Sequence, residues 1–311
     1  MTGDLELHHQ LEEKVAAFKN KESALVFNSG YQANVGILSS LCGQGDVIFC
    51  DRLSHASLID GALLSGARFL RFAHNDVEHL ESLLKGHRPQ FKKGLIITET
   101  IFSMDGDEAP LKGLVRLKEK YGCQLMVDEA HATGLFGARG AGVVEKEGLE
   151  DEVDLIMGTF GKALGGFGAY LAADGEVIEY LINTCRSFIY STALPASVIA
   201  SDLAALEVIG DEPLRRKKVL ATAAYFRQGL KKHGFEVKGI SQIVPVITGE
   251  NAGAVAMARA LQEKGYWVLP IRPPTVPEGQ ARLRFSVTVH HDEKLLRRLI
   301  DDLAATRISI S

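Results

Sequence analysis

Residues 158–170 read GTFGKALGGFGAY and place a single lysine, Lys162, in a glycine-rich turn directly after an apolar strand. Partial desolvation beside a pocket lowers the pKa of a lysine. More of the side chain is then the neutral amine, which can act as a nucleophile. The glycines favour this interpretation because they let a bulky ligand approach the backbone closely. An isolated lysine is more often a solvated surface residue, so the turn alone leaves both interpretations open.

Working outward from this turn, short apolar runs predict β-strands. The runs are ALVF (24–27), DVIFCD (46–51), RFLRFA (68–73), GLIITET (94–100), QLMVDEA (124–130), DLIMGTF (154–160) and GAYLAA (168–173). Helix-like segments such as VEHLESLLKG separate the first five, which predicts an α/β fold with a mostly parallel sheet covered on both faces. The last two runs lie close together, so one of them is free to pair differently.

The pattern changes near residues 211–213, DEP. A long charged helical stretch (215–233) is followed by short apolar runs, a second helix and a final helix that begins at Asp292. We therefore predict a large ligand-binding domain over residues 1–212 and a smaller α+β domain over residues 213–311.

The composition narrows the class of protein. The 311 residues carry 35 basic and 39 acidic side chains, a net charge of −4, which gives no indication of a nucleic-acid or polybasic membrane partner. The first residues include early acidic side chains and no apolar core, and no stretch has the apolar length of a membrane span. The four cysteines lie far apart, which argues against a disulfide framework or a structural zinc. We expect a soluble, cytoplasmic protein.

Ligands of open α/β sheets bind at the carboxyl ends of the strands, where MVDEAHATG (126–134) lies. DEAH also occurs as the second nucleotide motif of helicases, but that function needs an upstream GxxxxGKS or GxxxxGKT loop, which the chain lacks. A metal site at Asp128 and His131 has no third ligand at a suitable spacing. A role for Asp128 as a simple cap of the next loop stays open.

Two further strand-to-helix turns are candidate binding sites. FNSGYQANVGIL (27–38) runs from a strand through a glycine turn into a helix, whose free backbone N–H groups suit a phosphate. His55, in DRLSHASL, follows a predicted strand and precedes a predicted helix. A binding role and a position at the helix start without any role are equally compatible with this context. Each signal is weak by itself. A lysine imine, a phosphate cradle, an aspartate for a pyridinium nitrogen and a stacking ring are together what pyridoxal phosphate requires.

The motifs FNSGYQAN, DRLSHASLIDG, FSMDGDEAPL, MVDEAHATG, TFGKALGGFGAY, YSTALP and IRPPTVPEGQARLRFSV carry a family resemblance. From about Asp4 to near the C-terminus, the chain resembles the α-oxoamine synthases, which are fold-type I pyridoxal-phosphate enzymes and homodimers. The resemblance implies that Lys162 binds the cofactor as an imine and later acts as acid and base. It also implies that Asp128 pairs with the pyridinium, that His131 contacts the phenolic oxygen, and that His55 stacks on the ring and helps place the amino acid.

The resemblance implies further contacts at residues around the cofactor and substrate. Gly30 and Tyr31 would line the cofactor, with Ser103 near the ring and Thr159 near the phosphate. Ser191 and Thr192 would reach the phosphate of the neighbouring subunit, Arg272 would bind the substrate carboxylate, and Thr275 would lie in the acyl-binding loop.

The motifs are most similar to the branch of this family that serves biotin synthesis. The implied reaction joins L-alanine to a pimeloyl thioester, on acyl-carrier protein or CoA, and releases CO₂ and the thiol. The alternatives are a glycine C-acetyltransferase, with glycine and acetyl-CoA as substrates, and a folded but inactive pairing subunit. Members of the family usually carry a further N-terminal segment before the helix with which this chain opens, and we expect its absence to affect acyl recognition and dimer stability.

Overall fold

The computed structural model describes residues 3–310 and divides into two compact units. The first unit comprises the chain up to Ile101 together with Ala109–Pro213. The second comprises Phe102–Glu108 and the chain from Leu214 onward. The second unit therefore includes a short segment that precedes its main part by about a hundred residues.

A seven-stranded sheet, counted over the described residues, forms the centre of the first unit in the order β1-β7-β6-β5-β4-β2-β3. Strands β2 to β6 are parallel to one another, whereas β7 is antiparallel to both of its neighbours, β1 and β6. The strands are β1 Ser23–Phe27, β2 Val47–Asp51, β3 Arg68–Phe72, β4 Gly94–Glu99, β5 Gln124–Asp128, β6 Leu155–Thr159 and β7 Ala169–Ala173. The predicted α/β class is confirmed, and the strand that follows the Lys162 turn is the one that pairs differently.

Helices cover both faces of this sheet because successive residues of its strands point to opposite sides. Leu25 and Phe27 of β1 lie in one hydrophobic cluster, and Ala24 and Val26 lie in another. The helices of this unit are α1 Glu6–Lys19, α2 Gly30–Leu41, α3 Ala56–Ser65, α4 Val77–His87, α5 Leu111–Tyr121, α6 Val143–Glu147, α7 Gly175–Thr184, α8 Arg186–Ile189 and α9 Ala196–Asp211.

The second unit is an α+β arrangement around a four-stranded antiparallel sheet within the described residues, in the order β10-β11-β9-β8. Its strands are β8 Glu236–Val237, β9 Ile243–Gly249, β10 Pro270–Ile271 and β11 Ala281–Ser286. Its helices are α10 Pro213–Lys232, α11 Asn251–Glu263 and α12 Glu293–Ile310. The inward face of α12 contributes Leu296, Leu299 and Leu303 to the core of this unit.

A buried ion pair attaches the segment 102–108 to the sheet of the second unit. Nη1 of Arg282, in β11, lies 3.0 Å from Oδ1 of Asp105 and donates to the carbonyl oxygen of Met104 at 3.1 Å. The carbonyl oxygen of Gly106 accepts hydrogen bonds from the backbone N–H groups of Ile240 and Ser241. Within the described residues, no helix is both long enough and apolar enough to cross a membrane.

Candidate active site

Asp128 is the last residue of β5 and is 6% exposed. Its Oδ1 accepts a hydrogen bond from the backbone N–H of Ala130 at 2.9 Å, and this contact ends the strand at Asp128 rather than at the predicted residue 130. Its Oδ2 accepts from Nδ2 of Asn34, in α2, at 3.0 Å. Both donors are neutral amides, so the carboxylate is fixed in place with its negative charge available to a ligand.

Lys162 lies in the turn between β6 and β7, and its Nζ is 2.9 Å from Nε2 of His131. The sequence therefore identified two residues that meet in space although 31 positions separate them. The side chain of Lys162 is exposed in the single chain, contrary to the expected partial desolvation. Gly161, Ala163 and Gly165 surround it in sequence, and they offer too little side-chain bulk to cover it.

The backbone of this turn is hydrogen-bonded to Asp202, a fully buried residue of α9. Its Oδ1 accepts from the backbone N–H of Phe167 at 3.3 Å, whereas its Oδ2 is buried without a hydrogen-bond partner. A methyl group added at Gly166 would overlap Oδ1 of Asp202. Burial raises the pKa of Asp202 to about 6.

The start of α2 forms an anion-binding geometry next to the end of β6. Ser29 caps the helix by accepting from the backbone N–H of Gln32 at 3.2 Å, and Gly30 is its first residue. A Cβ at Gly30 would lie 2.9 Å from Cγ2 of Thr159. Oγ1 of Thr159 is buried without a partner, so a free hydroxyl and a helix N-terminus lie side by side, as a phosphate requires.

Ser191 and Thr192 lie beside the same helix start. Nδ2 of Asn28 donates to the carbonyl oxygen of Thr192 at 2.7 Å, and Nε2 of Gln32 donates to Oγ of Ser191 at 2.9 Å. The structure thus brings both residues next to the start of α2 in their own chain. Their contact with a neighbouring subunit stays a prediction.

His55 and Tyr31 lie at the starts of two adjacent helices. His55 caps α3, and its Nδ1 accepts from the backbone N–H of Ser57 at 3.2 Å. The phenol of Tyr31, which is 51% exposed, donates to Oδ2 of Asp60 at 2.6 Å. That hydrogen bond raises the pKa of Tyr31.

Three predicted site residues belong to the second unit. The carbonyl oxygen of Ser103 accepts from Nε of Arg284 at 2.6 Å. Arg272 and Thr275 are exposed and close a turn in which the N–H of Thr275 donates to the carbonyl oxygen of Arg272 at 3.1 Å. Their roles in the reaction stay predictions.

Sequence reasoning missed Asn34 and Ser57, which the structure connects to Asp128 and His55. Nδ2 of Asn34 donates to Oγ of Ser57 at 2.9 Å as well as to Asp128. Asn34 is an amide on the otherwise apolar buried face of α2, one turn after Gly30. A buried polar residue of this kind requires hydrogen-bond partners, and that requirement was the signal available in the sequence.

The residues of the first unit fit pyridoxal phosphate. They provide a primary amine beside an imidazole, a buried carboxylate held by neutral amides, and a helix start with a free buried hydroxyl. These three features match the aldehyde, the ring nitrogen and the phosphate of that cofactor.

Comparisons with known proteins agree with this fit. An 8-amino-7-oxononanoate synthase from Geobacter sulfurreducens is 52% identical over 308 residues, which cover 98% of this chain and 78% of the relative. A second one, from Anaeromyxobacter dehalogenans, is 48% identical over 306 residues, covering 98% and 76% of the two chains.

Solved structures show the same fold. A serine palmitoyltransferase from S. paucimobilis, solved with a PLP–myriocin aldimine, superposes with a TM-score of 0.96 at 34% identity, covering 100% of this chain and 78% of that one. An 8-amino-7-oxononanoate synthase from Francisella tularensis gives a TM-score of 0.88 at 28% identity, covering 100% and 90%. The model of the aminotransferase class I and II family matches residues 1–303, nearly the whole chain. The chain therefore belongs to the aminotransferase class I and II family and has the fold of the fold-type I pyridoxal-phosphate enzymes.

Proposed function

We propose that this chain is a pyridoxal-phosphate-dependent acyltransferase that condenses L-alanine with a pimeloyl thioester. The products are 8-amino-7-oxononanoate, CO₂ and the free thiol, and the reaction belongs to biotin synthesis. The names and the identity of the relatives support this choice of substrates. The observation that carries the proposal is the 2.9 Å contact between Nζ of Lys162 and Nε2 of His131, three residues beyond the buried Asp128.

The chain's own residues would hold the cofactor at three points. Lys162 would bind its aldehyde carbon, Asp128 would keep the proton on its ring nitrogen, and the start of α2 together with Thr159 would bind its phosphate. When bound, the cofactor withdraws electrons from the α-carbon of the amino acid, which makes the α-proton acidic. His55 and Tyr31 lie at the starts of helices α3 and α2 and would line the ring.

Proton transfer is the task of Lys162. With alanine bound at the cofactor, Nζ of Lys162 would take the α-proton of alanine, and His131 would keep that amine in position through Nε2. The α-carbon would then form a bond to the thioester carbonyl carbon and the C–S bond would break, so that the sulfur leaves as a thiolate and takes a proton from solvent to give the thiol. The carboxyl group of alanine leaves as CO₂, and Lys162 returns the proton to the carbon.

The substrate contact, the oligomeric state and the location of the reaction complete the proposal. Arg272 would bind a substrate carboxylate through its guanidinium fork. The working form would be a homodimer, with Ser191 and Thr192 near the phosphate of the second site. The reaction would take place in the cytoplasm.

A substrate panel tests the proposal. The purified protein with added pyridoxal phosphate receives L-alanine or glycine, each with pimeloyl or acetyl thioester, and the released thiol is measured. We expect the fastest release with L-alanine and pimeloyl thioester, and none with Lys162→Ala. A preference for glycine and the acetyl donor would replace the proposal by a glycine C-acetyltransferase, and no release with any pair would favour an inactive pairing subunit.

A further inference from the structure

Asn34 contacts two parts of the site at once. We infer that Asn34 is a positioning residue, which fixes the Asp128 carboxylate toward the cofactor's ring nitrogen and ties it to Ser57 and His55. The inference deepens the proposed function and rests on its cofactor, but it does not depend on the identity of the amino acid or the acyl donor.

The contacts form one continuous network inside the first unit. Nδ2 of Asn34 donates to Oδ2 of Asp128 at 3.0 Å and to Oγ of Ser57 at 2.9 Å. Oγ of Ser57 lies 2.8 Å from Nδ1 of His55. Asn34 is 1% exposed, Ser57 is fully buried and Asp128 is 6% exposed, so water does not compete for these bonds.

The hydrogens of this network have one consistent arrangement. An ionised carboxylate only accepts, so the side of the Asn34 amide that faces Asp128 must be its NH₂ group, and both N–H bonds are used. Nδ1 of His55 already accepts from the backbone N–H of Ser57, so it carries no hydrogen. The hydroxyl of Ser57, 2.8 Å from Nδ1, then shares this single acceptor with the backbone N–H.

The other end of the Asn34 amide supports a role beyond packing. Its Oδ1 is buried and has no hydrogen-bond partner, although a buried amide oxygen normally has one. An asparagine that served only to fill the helix face would thus leave a polar atom unsatisfied, where leucine or alanine would not. The two hydrogen bonds that Asn34 donates explain why an asparagine stands at this position, because other residue types of this size do not provide both.

Cofactor affinity tests the inference without turnover. The full chain, as wild type and as Asn34→Ala, is titrated with pyridoxal phosphate and with its deaza analogue, in which a carbon replaces the ring nitrogen. If Asn34 acts through Asp128, we expect Asn34→Ala to weaken binding of pyridoxal phosphate roughly 10-fold, the effect of one lost charge-assisted hydrogen bond. The affinity for the deaza analogue should be nearly unchanged, because that ligand offers no ring nitrogen for Asp128.

Matched variants separate positioning from folding. Asn34→Leu removes both hydrogen bonds while keeping the branching and the number of heavy atoms, and it serves if Asn34→Ala does not fold. Asn183→Ala, on the exposed side of α7, is the control for the same replacement. Equal losses for the two ligands would show a merely structural role and overturn the inference, as would no loss for either.

The cofactor-affinity test of Asn34 and the substrate panel can fail independently of each other. The substrate panel could release no thiol while Asn34→Ala selectively loses affinity for pyridoxal phosphate. This result would contradict the proposed reaction but support the role of Asn34. A wild-type chain that binds neither ligand would overturn both the cofactor and the role of Asn34.

Discussion

The two residues on which the proposed chemistry depends are held in opposite ways. Asp128 is buried and fixed by two amide N–H groups, whereas Lys162 is exposed in the single chain and contacts His131. A fixed carboxylate suits a constant electrostatic task at the ring nitrogen. An exposed amine suits a residue that must first bind the cofactor, then leave it and then move a proton.

The first prediction concerns the covalent attachment at Lys162. We expect borohydride reduction of the protein with pyridoxal phosphate to fix the cofactor on Lys162, because its amine is the one placed beside His131. Peptide mass spectrometry checks the site. Lys162→Ala should lose the label, and Lys146→Ala, which removes an exposed lysine of the same unit, should keep it. A label on another lysine in Lys162→Ala would contradict the assignment.

The second prediction concerns the charge of Asp128. Asp128→Asn still accepts the N–H of Ala130 but loses the negative charge, so turnover should fall roughly 100-fold or more. Unfolding free energy should fall by about 1 kcal/mol, the value of one hydrogen bond, since an amide cannot accept from Asn34 in the same orientation. Steady-state kinetics and thermal unfolding measure the two effects. A large loss of stability with a proportionate loss of turnover would indicate a structural aspartate.

The sequence alone predicted roles for Lys162, Asp128 and His131 because each is a chemically distinctive residue at or just beyond the end of a strand. It did not identify Asn34 and Ser57, because their roles depend on side chains that meet across 94 and 23 positions of the chain. Residue type and local spacing carry no information about such pairs.

At the scale of secondary-structure elements, the Lys162 turn depends on its fit to α9. Gly166 packs directly against Asp202, and the backbone N–H of Phe167 donates to the same carboxyl group. The side of the turn that faces α9 therefore has little room to move, whereas the part that carries Lys162 is exposed.

The third prediction tests this fit by adding one methyl group. Gly166→Ala would overlap Asp202, and we expect it to lower the unfolding free energy by about 1–3 kcal/mol, the usual effect of overpacking. Cofactor attachment to Lys162 should slow as well, because the turn must shift. Gly210→Ala, in α9 where the added methyl meets no atom within 4 Å, is the matched control and should be neutral or stabilising. Equal behaviour of the two variants would contradict the close fit.

The fourth prediction concerns pH and Asp202. Its pKa in the folded chain is about 6, against an ordinary value of 3.8, so the folded state binds the extra proton. The associated stability is fully present below pH 3.8 and is lost as the pH rises through about 6. A shift of this size corresponds to at most roughly 3 kcal/mol. Asp202→Asn should remove this dependence.

Thermal unfolding from pH 4 to pH 7.5 measures the difference between the wild type and Asp202→Asn. The melting temperature of the variant relative to the wild type should rise with pH across this interval. A constant difference would show that Asp202 titrates in the same way in the folded and unfolded chains.

The elements themselves were largely predictable because the hydrophobic periodicity is strong. Each predicted strand of the large sheet begins or ends within two residues of the observed one. The end of β5 was placed too late, because the carboxyl group of Asp128 captures the N–H of Ala130 and breaks the ladder. Side-chain-to-backbone bonds of this kind are invisible to periodicity.

At the scale of the whole molecule, we propose that the chain divides near residue 213 and that the segment 102–108 belongs to the C-terminal domain. A sequence of apolar runs predicts contiguous domains, so it gave no reason to assign this segment to the smaller one. The assignment is supported by contacts between residues far apart in sequence, such as that between Asp105 and Arg282, which lie 177 positions apart.

The fifth prediction concerns this ion pair. Both side chains are buried, so Arg282→Ala leaves the Asp105 carboxylate with only the partly exposed Lys238, 3.4 Å from Oδ1, as its cation, and should cost about 3 kcal/mol. Arg259→Ala breaks an ion pair with Glu263 on the surface of α11 and should cost less than about 1 kcal/mol. Urea unfolding followed by circular dichroism compares the two variants. Similar midpoints for both would show that the buried pair contributes no more than the exposed one.

The ion pair between Asp105 and Arg282 also has a consequence for the growing chain. Asp105 leaves the ribosome 177 residues before Arg282, which corresponds to roughly 10–35 s of synthesis. Throughout that interval its carboxylate stays hydrated, and the loop that carries it lacks the strand against which it packs. The loop at 102–108 should therefore be the place where proteases cut nascent chains whose parallel sheet has already formed.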